Sequence, residues 1–194
     1  MLQSLLPFTL FALVTSISPG PTNVLILAHS ARAGLRASVA PIVAASTAAA
    51  VIVWAVGLGL GEVLLRYPLA QQVMSWLGVI WLTWLGWQLL RSAGEPIQSA
   101  EQQPFGAISA ASLQLINPKV WLLAVAVIGV YAAPGQPVWQ LALVLLLVAL
   151  PSMTSWALLG AGSARWLQSP QRLRRFNQLL ACLLIASAWS ALLL

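Results

Sequence analysis

The chain has 194 residues, of which 60% are hydrophobic and 6% charged, with a net charge of +6 and a mean hydropathy of +0.91. Soluble domains of this size carry about 25% charged residues, so the composition excludes an ordinary soluble protein. It predicts an all-α integral membrane protein with the lipid bilayer as its solvent.

Six segments are apolar enough to span the hydrocarbon, which takes about 20 residues each. The first, near 3–29, has no basic stretch ahead of it and no clear small-residue cleavage site after it, so a retained helix is expected. It is interrupted by Ser18-Pro19-Gly20-Pro21-Thr22-Asn23 and ends at His29, the only histidine. The second, near 38–62, carries Pro41, Ser46 and Thr47, and its Ala45, Ala49, Gly57, Gly59 and Gly61 form small faces suited to close helix packing. The third, near 69–90, carries Trp76, Trp81, Trp84 and Trp87, expected as interface belts and one helix face. A loop near 91–105 with Glu95, Pro96, Glu101 and Pro104 is the natural linker between halves. The fourth segment, near 106–131, is interrupted at Asn117-Pro118-Lys119. The fifth, near 138–162, has Pro151 followed by Ser152, Thr154 and Ser155; like Ser46 and Thr47, these either line a polar path, bond across helices or bond back to their own turns. The sixth, near 175–194, holds the single cysteine, Cys182, which has no partner for an intrachain disulfide and is expected as a small buried apolar side chain.

The basic residues give an orientation. Arg32, Arg36, Arg91, Arg165, Arg172, Arg174 and Arg175 fall in the odd loops, and only Arg66 falls in an even one. Seven against one places the odd loops in the cytoplasm and both termini in the periplasm. The positive charge therefore reads as topology, and no nucleic-acid partner is implied. Six spans divide into two sets of three, and an odd number per set inverts the second. The expectation is one membrane domain, 1–194, built as a 3+3 inverted repeat: a first half of about 1–91, a loop of about 92–105 and a second half of about 106–194.

The two breaks carry the chemistry. Pro19 and Pro21 cannot donate to the carbonyls of Thr15 and Ile17, and Pro118 leaves the carbonyl of Gln114 without its helical donor. Unsatisfied backbone groups cost several kcal/mol in lipid, so broken helices at membrane depth belong beside a polar cavity. Each chain can restart as a helix: Pro21 and Pro118 suit a first helical position, and Asn117 suits the N-cap. Two half-helix N-termini would then face each other, each with roughly half a positive charge. They could hold a carboxylate while the freed carbonyls accept from an ammonium, which is the chemistry of a zwitterionic amino acid. The alternative is a pair of ordinary proline kinks.

Lys119 is the sharpest single residue. A lysine at a helix centre costs about 2.5–3.5 kcal/mol to insert. No Asp exists, and Glu62, Glu95 and Glu101 lie at span ends or in loops. Its expected partner is a carbonyl, a water or a cargo carboxylate, or else it is a structural lysine at the break. Enzymatic activity is not expected: there is no nucleophile–base pair and no G-x-S-x-G, and no cofactor is implied. One His, one Cys and no Asp also disfavour a metal-binding site.

Ser18-Pro19-Gly20-Pro21 with Asn23, Arg32-Ala33-Gly34, the Trp76-Leu77-Gly78 to Trp87 stretch and Asn117-Pro118-Lys119 together resemble the lysine exporter (LysE) superfamily. More narrowly, the chain resembles its homoserine/threonine exporter-like (RhtB) branch, over nearly its whole length. Two departures stand out: Thr22 takes the place after the second proline where the family has Asn, and the family's Phe-x-x-Gly appears as Phe105-Gly106. The resemblance implies a secondary exporter of small amino acids in the bacterial inner membrane, driven by the proton-motive force. The substrate-binding residues expected are Thr15, Pro19, Gly20, Pro21, Thr22, Asn23, Gln114, Asn117, Pro118 and Lys119. Sparse charge within the spans favours a neutral cargo. A metal-ion exporter of the same superfamily and a non-transporting assembly subunit are the alternatives, and a homo-oligomer is left open.

Overall fold

The computed structural model describes residues 2–60, 66–91, 105–132, 137–163 and 169–190. Every regular element among them is helical: α1 (Leu2–Ile17), α2 (Pro21–Ala55) continuing into a π-helical turn (Val56–Leu60), α3 (Pro68–Arg91), α4 (Ala107–Ile116), α5 (Pro118–Tyr131), α6 (Val138–Ser163) and α7 (Pro170–Ser190). The outer surface is apolar. Leu69, Ile108, Val130, Leu147 and Leu159 are among many large hydrophobic side chains left exposed, as a lipid-facing surface requires. Among the described residues two helical stretches, Pro21–Leu60 and Val138–Ser163, are long and apolar enough to cross a membrane, and the bent pair α4–α5 makes a third if it counts as one span.

The long helix α2 is the hub. It packs along α6 and also against α4, α5 and α7, while α3 lies along α7 and α1 along α6. Its course changes at Gly34, whose φ of 84° and ψ of 171° leave the helical region for one residue. A positive φ suits glycine, which has no Cβ to clash. Where the sequence places a loop around Arg32, the helix thus runs on with a single-residue kink at Gly34. Small residues allow the close approaches. Gly160 of α6 faces Ser30 and the Leu27 carbonyl of α2, and Ser30 Oγ donates to the Ala157 carbonyl at 2.8 Å. Gly57, expected as a packing residue, sits against Val138 and Ile128. Gly59 is otherwise: its φ of 116° marks a distorted turn, and a Cβ there would meet nothing within 4 Å.

The core divides around the two breaks. On one side Phe8, Ala49, Val53, Val120, Ala124, Leu141 and Leu145 pack together; on the other Val24, Leu27, Leu82, Leu113, Leu180 and Leu184 do. Cys182 differs from expectation. It is exposed, because α7 turns its Leu180, Ala181 and Leu184 inward and leaves the intervening position outside. Trp76, Trp84 and Trp87 are half-exposed on α3, with Trp76 edge-on to Trp189 and Arg91 stacked over Trp87. The expectations resting on Glu62, Gly61, the 92–104 loop and Arg165 lie outside the described residues.

Candidate functional site

The first break begins where α1 stops at Ile17. Ser18 to Gly20 are non-helical, Gly20 is extended (φ −152°, ψ 169°), and Pro21 takes the first position of α2. Breaking the helix strands several carbonyls, and nearby side chains take them up. Asn23 Nδ2 donates to the carbonyls of Ser16 at 2.7 Å and Ser18 at 2.9 Å, which uses both of its protons. Trp156 Nε1 on α6 donates to the Ile17 carbonyl at 3.1 Å, and Ser18 Oγ to the Thr15 carbonyl at 2.8 Å. The opposite end is left bare. The first intrahelical bond of α2 is Val24 N–H to the Gly20 carbonyl at 3.0 Å, and no side chain caps the N–H groups before it.

The second break bends α4 against α5 by 64°. Asn117 is extended (φ −83°, ψ 106°) and its Oδ1 accepts from Lys119 N–H at 3.2 Å, so Asn117 is the N-cap of α5 that its position predicts. The stranded Leu115 carbonyl accepts from Trp121 Nε1 at 2.8 Å. Gly78 of α3 lies flush against Ile116 O and Pro118, so the kink is seated on a helix with no side chain at that point.

The two breaks meet at one cavity of about 60 Å³. Thr15, Ser16, Gly20, Pro21, Thr22, Asn23, Gln114, Asn117 and Lys119 form its polar wall. Ala49, Val120, Leu123, Leu145, Ala149 and Met153 form its apolar wall. Two contacts cross from one break to the other. Thr22 Oγ1 donates to Gln114 Oε1 at 3.3 Å, and Lys119 Nζ donates to Ser18 Oγ at 2.8 Å. The lysine reaches over Gly20 so closely that a Cβ there would lie 3.0 Å from Nζ. An ammonium and a bare helix N-terminus, both positive, therefore share one corner. The chain's carboxylates, Glu62, Glu95 and Glu101, all lie outside the described residues.

Eight of the ten expected residues line this cavity. Pro19 is exposed and Pro118 is packed against Gly78, so these two shape the breaks without facing the space between them. The expected symmetry of two open N-termini is only half present. That of α5 is closed by Asn117, and that of α2 is open. The freed carbonyls expected to await a ligand are largely taken by Asn23, Ser18, Trp156 and Trp121.

The profile of the family described as LysE type translocator matches residues 13–193. The chain belongs to that family. It is 30% identical over 196 residues to a cysteine/O-acetylserine efflux protein of Klebsiella pneumoniae, covering 93% of each chain. It is 31% identical over 181 residues to a homoserine/homoserine lactone efflux protein of Salmonella typhimurium, covering 88% of this chain and 87% of that one. An Escherichia coli cysteine/O-acetylserine efflux protein is 27% identical over 186 residues, again covering 93% of each. No solved structure matches the chain.

Membership makes this LysE-type protein a translocator and not an enzyme, and assigns it the exporter relationship its motifs suggested. Other polar candidates stand apart from the translocator's cavity. Ser152, Thr154 and Ser155 donate to carbonyls of their own helix at 2.7–2.8 Å, and Ser46 Oγ contacts Met153 Sδ at 3.4 Å. His29 packs beside Phe105 with ring centroids 6.1 Å apart. Sequence reasoning missed Ser18 as the Lys119 partner, Ser16, and the indoles of Trp121 and Trp156. For Ser18 the only signal was its place inside the motif.

Proposed function

We propose that this translocator is a secondary exporter of small neutral amino acids or their close derivatives across the bacterial inner membrane, powered by the proton-motive force. The observation that carries the reading is the corner where Lys119 overhangs the open N-terminus of α2. Lys119 is half-buried, and a cation drawn partly out of water is expensive unless a counter-charge reaches it; here the natural counter-charge is a cargo carboxylate. The apolar wall of Ala49, Leu123, Leu145 and Ala149 suits a short uncharged side chain. The efflux relatives carry cysteine, O-acetylserine, homoserine and homoserine lactone by name, all small amino-acid compounds.

In this reading the six spans are α1 with α2 up to Gly34, the rest of α2, α3, the α4–α5 pair, α6 and α7. They form one domain of two inverted halves, with the breaks in the first and fourth spans and both termini in the periplasm. Thr15, Gly20, Pro21, Thr22, Asn23, Gln114, Asn117 and Lys119 surround the cargo, and Pro19 and Pro118 hold the breaks open. A void of about 60 Å³ is smaller than the ~150 Å³ cavity that admits benzene, so loading requires the walls to part. Rocking of one half against the other provides that movement and alternates access.

The test is overproduction and deletion in a bacterial host, followed by extracellular amino-acid analysis. Overproduction should raise one or more small neutral amino acids outside the cell, and collapse of the proton gradient should abolish the rise. No change for any amino acid at confirmed membrane expression would favour an assembly subunit. A metal-ion exporter is disfavoured by a sequence with one His, one Cys and no Asp.

A further inference from the structure

We propose that Ser18 is the positioning residue of the cavity: it parks the Lys119 ammonium over the open end of α2 without neutralising it, and so gives cargo with a free carboxylate a tighter hold than the corresponding lactone. The inference rests on the transport reading above and specifies how that site selects.

The bonding follows from donor and acceptor counts. An ammonium has three protons and no acceptor, so Ser18 Oγ must accept from Lys119 Nζ across their 2.8 Å contact. Ser18 has one proton, and it goes to the Thr15 carbonyl at 2.8 Å. The hydroxyl is thus turned so that its lone pairs face the lysine. A neutral acceptor steadies the ammonium and leaves its full charge in place, where an Asp would cancel it.

Position does the rest. Ser18 belongs to the first break and Lys119 to the second, 101 residues apart. The contact draws the lysine across Gly20, beside the uncapped N–H groups at the start of α2. Without the Ser18 oxygen, nothing else among the described hydrogen bonds directs Nζ to that corner. A carboxylate arriving there meets an ammonium and backbone donors together. An ester, amide or lactone of the same amino acid brings only a carbonyl, a weaker acceptor.

The test compares homoserine with homoserine lactone, which keeps the ammonium and carbon skeleton and lacks the carboxylate. Transport of both is measured in vesicles containing wild-type protein, Ser18→Ala, Ser18→Thr or Ser18→Asp. Ser18→Ala should raise KM for homoserine about tenfold, the worth of one hydrogen bond to a charged group, with little change in kcat. Its KM for the lactone should stay near wild type, so the acid-to-lactone preference falls about tenfold. Ser18→Thr, which keeps the hydroxyl, should restore the wild-type preference. Ser18→Asp should move the preference furthest toward the lactone. Equal losses for both cargoes in Ser18→Ala, or no change in either KM, would overturn the proposal, whether or not Ser18→Asp reaches the membrane. If wild-type vesicles move no amino acid at all, the transport reading itself fails.

Discussion

Gly78 of α3 lies directly against the carbonyl oxygen of Ile116, one residue before the second break, and a Cβ at position 78 would also come 3.0 Å from Pro118 Cδ. The contact is with backbone and a proline ring, neither of which can swing aside. The bend between α4 and α5 is therefore moulded onto a bare patch of a neighbouring helix.

Gly78→Ala should consequently damage the protein beyond its one added methyl. Overpacking of this kind costs about 1–3 kcal/mol. Gly129→Ala is the control, since a methyl there would meet nothing within 4 Å. Thermal unfolding in detergent should show a clearly lower midpoint for Gly78→Ala than for Gly129→Ala, and equal midpoints would contradict the moulded contact.

Lys119→Ala should insert and fold, because removing a half-buried cation relieves an insertion cost of at most about 2.5–3.5 kcal/mol. Export should fall to background all the same. Membrane abundance and efflux measured on the same cells would separate the two effects; full efflux by the variant would exclude Lys119 from the cargo site.

Gly20→Ala probes the corner from the other side. The backbone at Gly20 is extended, a conformation any residue adopts, so the helix start should survive. The new methyl would sit 3.0 Å from Lys119 Nζ and make the ammonium give by a few tenths of an ångström. The expected outcome is a raised KM with unfolding behaviour close to wild type. A loss of stability with unchanged KM would show that the glycine serves packing alone.

Asn23 ties the first break together by giving both amide protons to Ser16 and Ser18 carbonyls. Asn23→Ala leaves those carbonyls short of donors, at about 1–3 kcal/mol for a buried group. Asn23→Asp should be worse than Asn23→Ala, since it aims a carboxylate at two carbonyl oxygens. Urea or thermal unfolding of the three proteins should rank wild type, Ala, Asp; a more stable Asp variant would refute the strap.

Much of the site was legible because proline chemistry is local. Pro21 and Pro118 cannot complete a helix, and Asn117 ahead of a proline announces a cap, so both breaks follow from neighbours in the chain. Lys119 was legible because charge is rare in such a sequence. Its partner was not: Ser18 meets it only through the fold, and serine hydroxyls in apolar helices more often bond to their own turns, as Ser152 and Ser155 do. The apolar wall was hidden for another reason. Leu123 and Leu145 turn inward and Leu122 and Leu147 outward, yet in a chain solvated by hydrocarbon both sets are leucine. Trp121 and Trp156 were concealed by the habit of tryptophan at membrane surfaces, whereas here their indole protons serve the broken backbone.

The small resting size of the chamber has a physiological corollary. If the form with parted walls makes up about one per cent of molecules, apparent binding is about a hundredfold weaker than the intrinsic contacts would give. Such a device would idle at ordinary cytosolic levels and open its throughput only as a metabolite accumulates. It would behave as an overflow valve, protecting the pool a cell needs while venting the surplus that would harm it.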